Sequence, residues 1–182
     1  MPITINGDGS ITGLSVGGLP NGTVDADTLA SGAITRSSLP TGTVLQTVQV
    51  TTDQQVENAF SSETTLLTAS ITPTDSSNKI MVHVNCSGTG SRGTGTAFSL
   101  RIKRGSTRIW AIGNYIGYNV GGGVEVMPSG MYLDSPATTS AVTYTLTGTR
   151  TNGSDNCYFN HMNSTGVGSQ AGSSMTLMEI AV

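Results

Sequence analysis

The chain's two histidines and two cysteines fall in two short groups, His83-x-x-Cys86 and Cys157-x-x-x-His161, and together they carry the donor types of a zinc site. Strand geometry separates them. Residues three apart on a strand face opposite sides, so His83 points away from Cys86, while Cys157 and His161 share a face but stand about 13 Å apart along it. No metal is therefore expected, and the thiols read as small buried side chains beside two ordinary histidines. A Cys86–Cys157 disulfide stays open and requires their strands to be neighbours. Catalysis needs paired carboxylates or a nucleophile with a base. Asp53, Glu57, Glu63, Asp75, Glu125, Asp134, Asp155 and Glu179 are scattered, and no spacing forces two of them together. Neither histidine sits in a nucleophile-elbow context, and Gly121-Gly122-Gly123 lacks the lysine and helix of a phosphate-binding loop. No catalytic residue and no cofactor are expected.

Two groups suit surface contact. Arg101, Lys103, Arg104 and Arg108 place four of the eight basic residues within eight positions, where they could grip phosphate or acidic lipopolysaccharide or form a solvated strand face with a charged hairpin tip. Trp110, Asn114, Tyr115, Tyr118 and Asn119 form the densest aromatic and amide stretch, the types that stack on sugar rings and bond their hydroxyls. Trp110 is expected in the core and Tyr115 and Tyr118 on an exposed loop. Residues 152–156 and 160–168 are further polar loops that could line the same surface.

The elements that position these residues follow from composition and pattern. With 182 residues, one core is the prior; Leu, Ile, Val and Phe number 39, so that core is thin. Ser and Thr number 22 and 28 against 10% charged residues, so solubility rests on hydroxyls, amides and exposed backbone. A net charge of −3 with only two lysines argues against nucleic-acid binding. No apolar run is long enough to span a bilayer, the N-terminus lacks signal-peptide character, and two cysteines suit cytosolic synthesis.

Residues 1–42 hold a near-repeat, Leu19-Pro20-Asn21-Gly22-Thr23-Val24 and Leu39-Pro40-Thr41-Gly42-Thr43-Val44, 20 residues apart. Each proline fixes its own φ and extends the preceding leucine, and the glycine two places on permits a positive φ, so each unit is an extended arm closed by a turn. Residues 24–32 between them suit one or two helical turns. An arm this poor in large apolar residues borrows burial from neighbouring chains or a docking surface through Leu19, Pro20, Leu29, Ile34, Leu39 and Pro40.

From residue 43 the pattern becomes strand, turn, strand. Residues 79–86 put Ile80, Val82, Val84 and Cys86 on one face. Residues 98–103 and 108–112 flank a hairpin at 104–107, and further strands are expected at 64–72, 124–133, 142–150, 157–162 and 174–180, with a short helix or turn at 53–61. Eight or more strands make residues 43–182 an antiparallel β-sandwich. The last strand carries Met175 and Leu177 on one face and Met178 and Ile180 on the other, which predicts a strand covered on both sides, by the fold or by another subunit.

The wording from Ile3-Thr4-Ile5-Asn6-Gly7 through Gly18-Leu19-Pro20-Asn21-Gly22-Thr23-Val24 to Leu29-Ala30-Ser31-Gly32-Ala33-Ile34 resembles the start of many tailed-bacteriophage fibre and decoration proteins, especially of marine and cyanobacterial phages. In that group the leader precedes a head similar to the trimeric jelly rolls of tumour necrosis factor and complement. Three segments here are similar: Thr74-Asp75-Ser76-Ser77-Asn78-Lys79-Ile80, Leu100-Arg101-Ile102-Lys103-Arg104-Gly105-Ser106-Thr107, and Ser174-Met175-Thr176-Leu177-Met178-Glu179-Ile180. The resemblance implies an all-β jelly-roll head and a homotrimer in the virion, made in the bacterial host's cytoplasm. It further implies partners among other virion proteins; the residue types, independently of the resemblance, suit host-surface glycan contact through Arg101, Lys103, Arg104, Asn114, Tyr115, Tyr118 and Asn119. A capsid decoration protein is the alternative, and a polysaccharide depolymerase a remote one.

Overall fold

The computed structural model describes residues 4–8, 11–12, 29, 31–35, 38–118, 124–161 and 172–182. The chain divides into two compact units, Met1–Leu39 and Pro40–Val182. In the first, β1 (Thr4–Ile5) and β2 (Ile11–Thr12) pair antiparallel, Thr4 opposite Thr12 and Ile5 opposite Ile11. The intervening Asn6-Gly7 is a hairpin signal inside what reads as a plain extended arm. Leu29, Ile34 and Leu39 are exposed. Leu19, Pro20, the first near-repeat and all of the expected helical turn but Leu29, Ser31 and Gly32 lie outside the described residues. In the second near-repeat Gly42 adopts φ +91°, and Thr43 donates through both its N–H and its hydroxyl to the Pro40 carbonyl, closing the turn.

The second unit is all-β and antiparallel, with no α-helix among its described residues. Its strands are β3 (Val44–Thr52), β4 (Val56–Asn58), β5 (Thr64–Ile71), β6 (Lys79–Asn85), β7 (Thr89–Ser91), β8 (Ala97–Arg104), β9 (Thr107–Ile116), β10 (Val124–Val126), β11 (Ser129–Asp134), β12 (Val142–Asn152), β13 (Cys157–Phe159) and β14 (Ser173–Ile180). One sheet runs β11-β6-β14-β3 and the other β5-β12-β8-β9; a small sheet, β10-β7-β13-β4, continues from one end of both.

Alternation decides which side chains go inside. In β6, Ile80, Val82 and Val84 are buried, and in β14 Met175 and Leu177 stand opposite Val84 and Val82. Leu100, Ile102, Tyr144 and Leu146 face them from β8 and β12, and Phe60, Phe98 and Phe159 fill the space toward the small sheet. Each buried Val, Leu, Ile or Phe side chain contributes about 1.5–3 kcal/mol, so this thin set is concentrated where it counts.

Two expected elements differ. Residues 53–61 form no helix: Val56 and Phe60 have helical i, i+4 spacing, but Val56 pairs opposite Phe159 in the small sheet. Phe60 sits at φ 41° with its ring 4.7 Å from that of Phe98, held by its N–H to Asn58 and by its carbonyl to the Arg150 N–H. The single strand expected at 124–133 is two, because Met127-Pro128 interrupts the run where proline cannot donate to a ladder.

The sandwich has two distinct ends. The chain enters beside its exit, with the Gly42 N–H donating to the Ala181 carbonyl and the Ala181 N–H to the Thr43 carbonyl. The β5–β6 loop and the β8–β9 hairpin share this end, since Ile71 lies opposite Val142 and Arg104 opposite Tyr144. The small sheet and the C-terminal end of β9 lie at the other.

Candidate functional site

The surface residues singled out by type separate along this axis. Lys103 and Arg104 flank the hairpin at the entry end, whereas Asn114 and Tyr115 lie near the far end of β9, between the residues opposite Leu100 and Phe98 and so about 13–20 Å from Arg104 at strand rise. Lys103 and Arg104 are also committed to partners. Lys103 Nζ lies 2.8 Å from Glu63, which also accepts from Thr147, and the Lys103 bond leads in holding the Glu63 carboxyl below its ordinary value, with Arg101 adding to the effect. Arg104 donates to both carboxylate oxygens of Asp134, at 3.1 and 2.9 Å, and to the Ser135 carbonyl. Asp134, with 7% side-chain exposure, also accepts from the buried Tyr144 hydroxyl at 2.7 Å. Arg104 thus ties β8 of one sheet to β11 of the other. Arg101 faces outward on β8 half-buried, and its Nε has no partner among the described residues.

Far from the hairpin, Tyr115 and Tyr118 stand out from the surface, 56% and 46% exposed, with rings edge to face at 5.7 Å and 72°. The backbone that presents them is constrained. Tyr115 is held at φ 64°, in the left-handed region that costs an aromatic residue about 1–3 kcal/mol, and the Tyr118 N–H closes the turn on the Tyr115 carbonyl. Beneath it the fully buried Ser91 hydroxyl lies 2.9 Å from the carbonyls of Gly117 and Thr96. Tyr115 belongs to the end of β9 rather than to a loop; Asn114 beside it is exposed, and Asn119 lies outside the described residues. Trp110 is half-buried, stacked on Tyr132 at 5.9 Å and 16° across the seam between β9 and β11.

On the small sheet, Arg92 forms a two-point ion pair with Glu57, both bonds at 2.8 Å, and lies 3.0 Å from His161 Nε2. Arginine only donates, so His161 accepts through Nε2, leaving Nδ1 buried without a partner among the described residues. Tyr158 packs against both, with its ring 5.0 Å from that of His161. His83 faces outward and Cys86 inward on the β6 strand and its extension, and no group of three His, Cys, Asp or Glu side chains gathers among the described residues. Cys86 and Cys157 are free and buried; Cys157 stands opposite Ser91 and Asn58.

The outer face of the β11-β6-β14-β3 sheet carries an apolar row among polar neighbours such as His83, Thr176 and Gln49. Leu133, Met81 and Met178 stand side by side across three strands, with Met131 and Ile180 beside them. Met131 is 64% exposed and Leu133 44%, while Met81, Met178 and Ile180 are half-buried. The two-sided character of β14 is therefore real: Met175 and Leu177 fill the core, and Met178 and Ile180 join this outer row.

Glu179 is the residue that type and spacing do not reveal. Fully buried, it accepts from the Thr74 N–H and hydroxyl and from Asn78 Nδ2 on one oxygen, and from Gln46 Nε2 on the other. Burial alone would raise its pKa; the bonds from Gln46, Thr74 and Asn78 outweigh burial and hold the carboxyl down to about 2. The 74–80 segment is thereby explained, because Thr74 and Asn78 fasten the loop entering β6 onto β14 while Asp75 turns it by accepting from Ser77.

No protein-family model matches the chain, and no curated protein matches it. Among solved structures it is similar to the VP2 subviral particle of infectious bursal disease virus, at a TM-score of 0.44 and 11% identity over 75% of this chain and 32% of that one. It is also similar to a structure of the Gt strain of that virus, at a TM-score of 0.45 and 12% identity over 76% of this chain and 39% of that one. The chain spans less than two-fifths of the length of either.

Proposed function

We propose that the chain is a non-enzymatic virion structural protein, a homotrimeric tail-fibre or fibre-tip subunit of a bacteriophage. Residues 1–42 dock onto the particle and help intertwine the subunits through Leu19, Pro20, Leu29, Ile34, Leu39 and Pro40. Residues 43–182 form a jelly-roll head that displays a host-binding surface. The strand order supports the head. Taking β3, β5, β6, β8, β9, β11, β12 and β14 as strands one to eight, one sheet reads six-three-eight-one and the other two-seven-four-five, the interleaving of a jelly roll.

The observation that carries the reading is the polarity of this unit. Entry and exit lie together at one end, the opposite end presents the strained, exposed tyrosine pair, and the sheet between them bears an apolar outer row. A row of this kind suits burial against a second and third copy. Three linked heads convert weak saccharide contacts into firm adhesion, which removes the need for a single strong site. Deleting residues 43–182 from the virus tests this: intact particles that fail to adsorb support it. Particles that adsorb normally but rupture sooner under heat or osmotic shock overturn it in favour of a shell decoration.

A further inference from the structure

We infer that the tyrosine end of the sandwich takes neutral pyranosides and excludes acidic ones, an inference that rests on the display reading above. The first support is the built turn. A tyrosine held at positive φ, a second tyrosine set edge to face against it, and a buried serine hydroxyl fixing the carbonyl between them keep two aromatic rings facing solvent. An exposed ring face matches the apolar C–H face of a pyranose, and the phenol hydroxyls and the exposed Asn114 amide match its equatorial hydroxyls.

The second support is charge. Residues 53–58, 86–96, 113–118, 124–128 and 150–161, which make this end, carry four carboxylates, Asp53, Glu57, Glu125 and Asp155, against two guanidiniums, Arg92 and Arg150. Both guanidiniums are occupied. Arg92 is spent on the two-point pair with Glu57, and Arg150 donates to the Ser154 and Asp155 carbonyls. Residues 119–123 and 162–171, which adjoin these segments in sequence, add no charged residue. Lys103, Arg104 and Arg108 lie at the hairpin end, where Lys103 and Arg104 are paired with Glu63 and Asp134, while Arg101 sits mid-strand opposite Ala111, half-buried, with its charge acting on Glu63. An anionic saccharide would lose hydration beside a surface of its own sign, whereas a neutral one meets rings, amides and hydroxyls.

Saturation-transfer NMR on the full-length protein tests this, with methyl α-glucopyranoside, methyl β-galactopyranoside and methyl α-mannopyranoside as neutral probes, and glucuronic acid and N-acetylneuraminic acid as acidic ones. The variants are Tyr118→Ala, Tyr118→Phe and Tyr115→Asn, the last because asparagine tolerates the left-handed backbone; unchanged melting curves certify their fold. The expected result is transfer to at least one neutral glycoside, reduced at least fivefold in Tyr118→Ala and Tyr115→Asn and retained in Tyr118→Phe, with none to the acids. Transfer to the acids that the tyrosine variants abolish overturns the inference and leaves the display reading standing. Transfer to none of the probes, or transfer indifferent to both tyrosines, also overturns it. If the purified protein then fails to block virus adsorption, the display reading falls with it.

Discussion

Replacing Glu179 by glutamine perturbs the most heavily bonded carboxylate described. The side chain is fully buried, so solvent screening does not dilute its interactions. A folded pKa of about 2 against an ordinary 4.5, at about 1.4 kcal/mol per tenfold change in proton affinity, amounts to about 3 kcal/mol. The folded value is the lower one, so this stability is fully present above pH 4.5 and is lost as pH falls from there toward 2. Glutamine keeps the shape but faces either Gln46 or the Thr74–Asn78 donors with an NH2 group of the wrong sense. Glu179→Gln is therefore expected to cost about 2–3 kcal/mol at pH 7 and to flatten the acid limb by about the same amount. Urea denaturation at one fixed protein concentration, from pH 7 down to pH 2.5, measures both. Glu57, Glu63 and Asp75, whose carboxyls also titrate below their ordinary range, act equally in wild type and variant, so the difference isolates Glu179. A variant within about 0.5 kcal/mol of wild type at pH 7, or one that keeps the wild-type loss on acidification, is incompatible with this role for Glu179.

Three other outcomes follow from close contacts. A Cβ at Gly130 would lie 2.3 Å from Trp110 Cη2, so Gly130→Ala should push the chain's single tryptophan off Tyr132, shift its emission to the red and cost about 1–3 kcal/mol; unchanged emission counts against the stack. Tyr144→Phe removes one bond to Asp134 and should cost about 1–2 kcal/mol in urea, and Asp134→Ala, which strands Arg104 and Tyr144 together, about 3; equal costs contradict the shared network. Burial pushes the Cys86 thiol up to about 12 and the Cys157 thiol up to about 11, so neither should react with a thiol reagent at pH 8 while folded; two thiols in denaturant are expected, and none would reveal a disulfide.

Alternation made the sandwich legible where one strand face is apolar and buried and the other polar or half-buried, as in Lys79–Asn85 and in Leu100 to Lys103 of β8. It failed at residues 53–61, because Val56 and Phe60 fit a helix face as well as a sheet corner, and pairing of β4 with β13, about a hundred residues on, decides between them. Long-range pairing also hid the roles of the charged residues. Lys103 and Arg104 read as free cations until β8 is placed beside Glu63 and Asp134, 40 and 30 positions away. Glu179 reads as one more scattered carboxylate, since its partners Thr74, Asn78 and Gln46 are 101 to 133 residues distant. Tyr115 and Tyr118 were legible as exposed aromatics among glycine and asparagine. Their strained turn and its distance from the basic hairpin belong to the topology alone.

Light scattering of the full-length protein, wild type and Met131→Glu/Met178→Glu, reads out assembly through the apolar outer row. A wild-type mass three times that of the 18.6 kDa chain, with loss of that state in the double variant, is the predicted result. A monomeric wild type, or a trimer indifferent to two charges placed on the row, contradicts it.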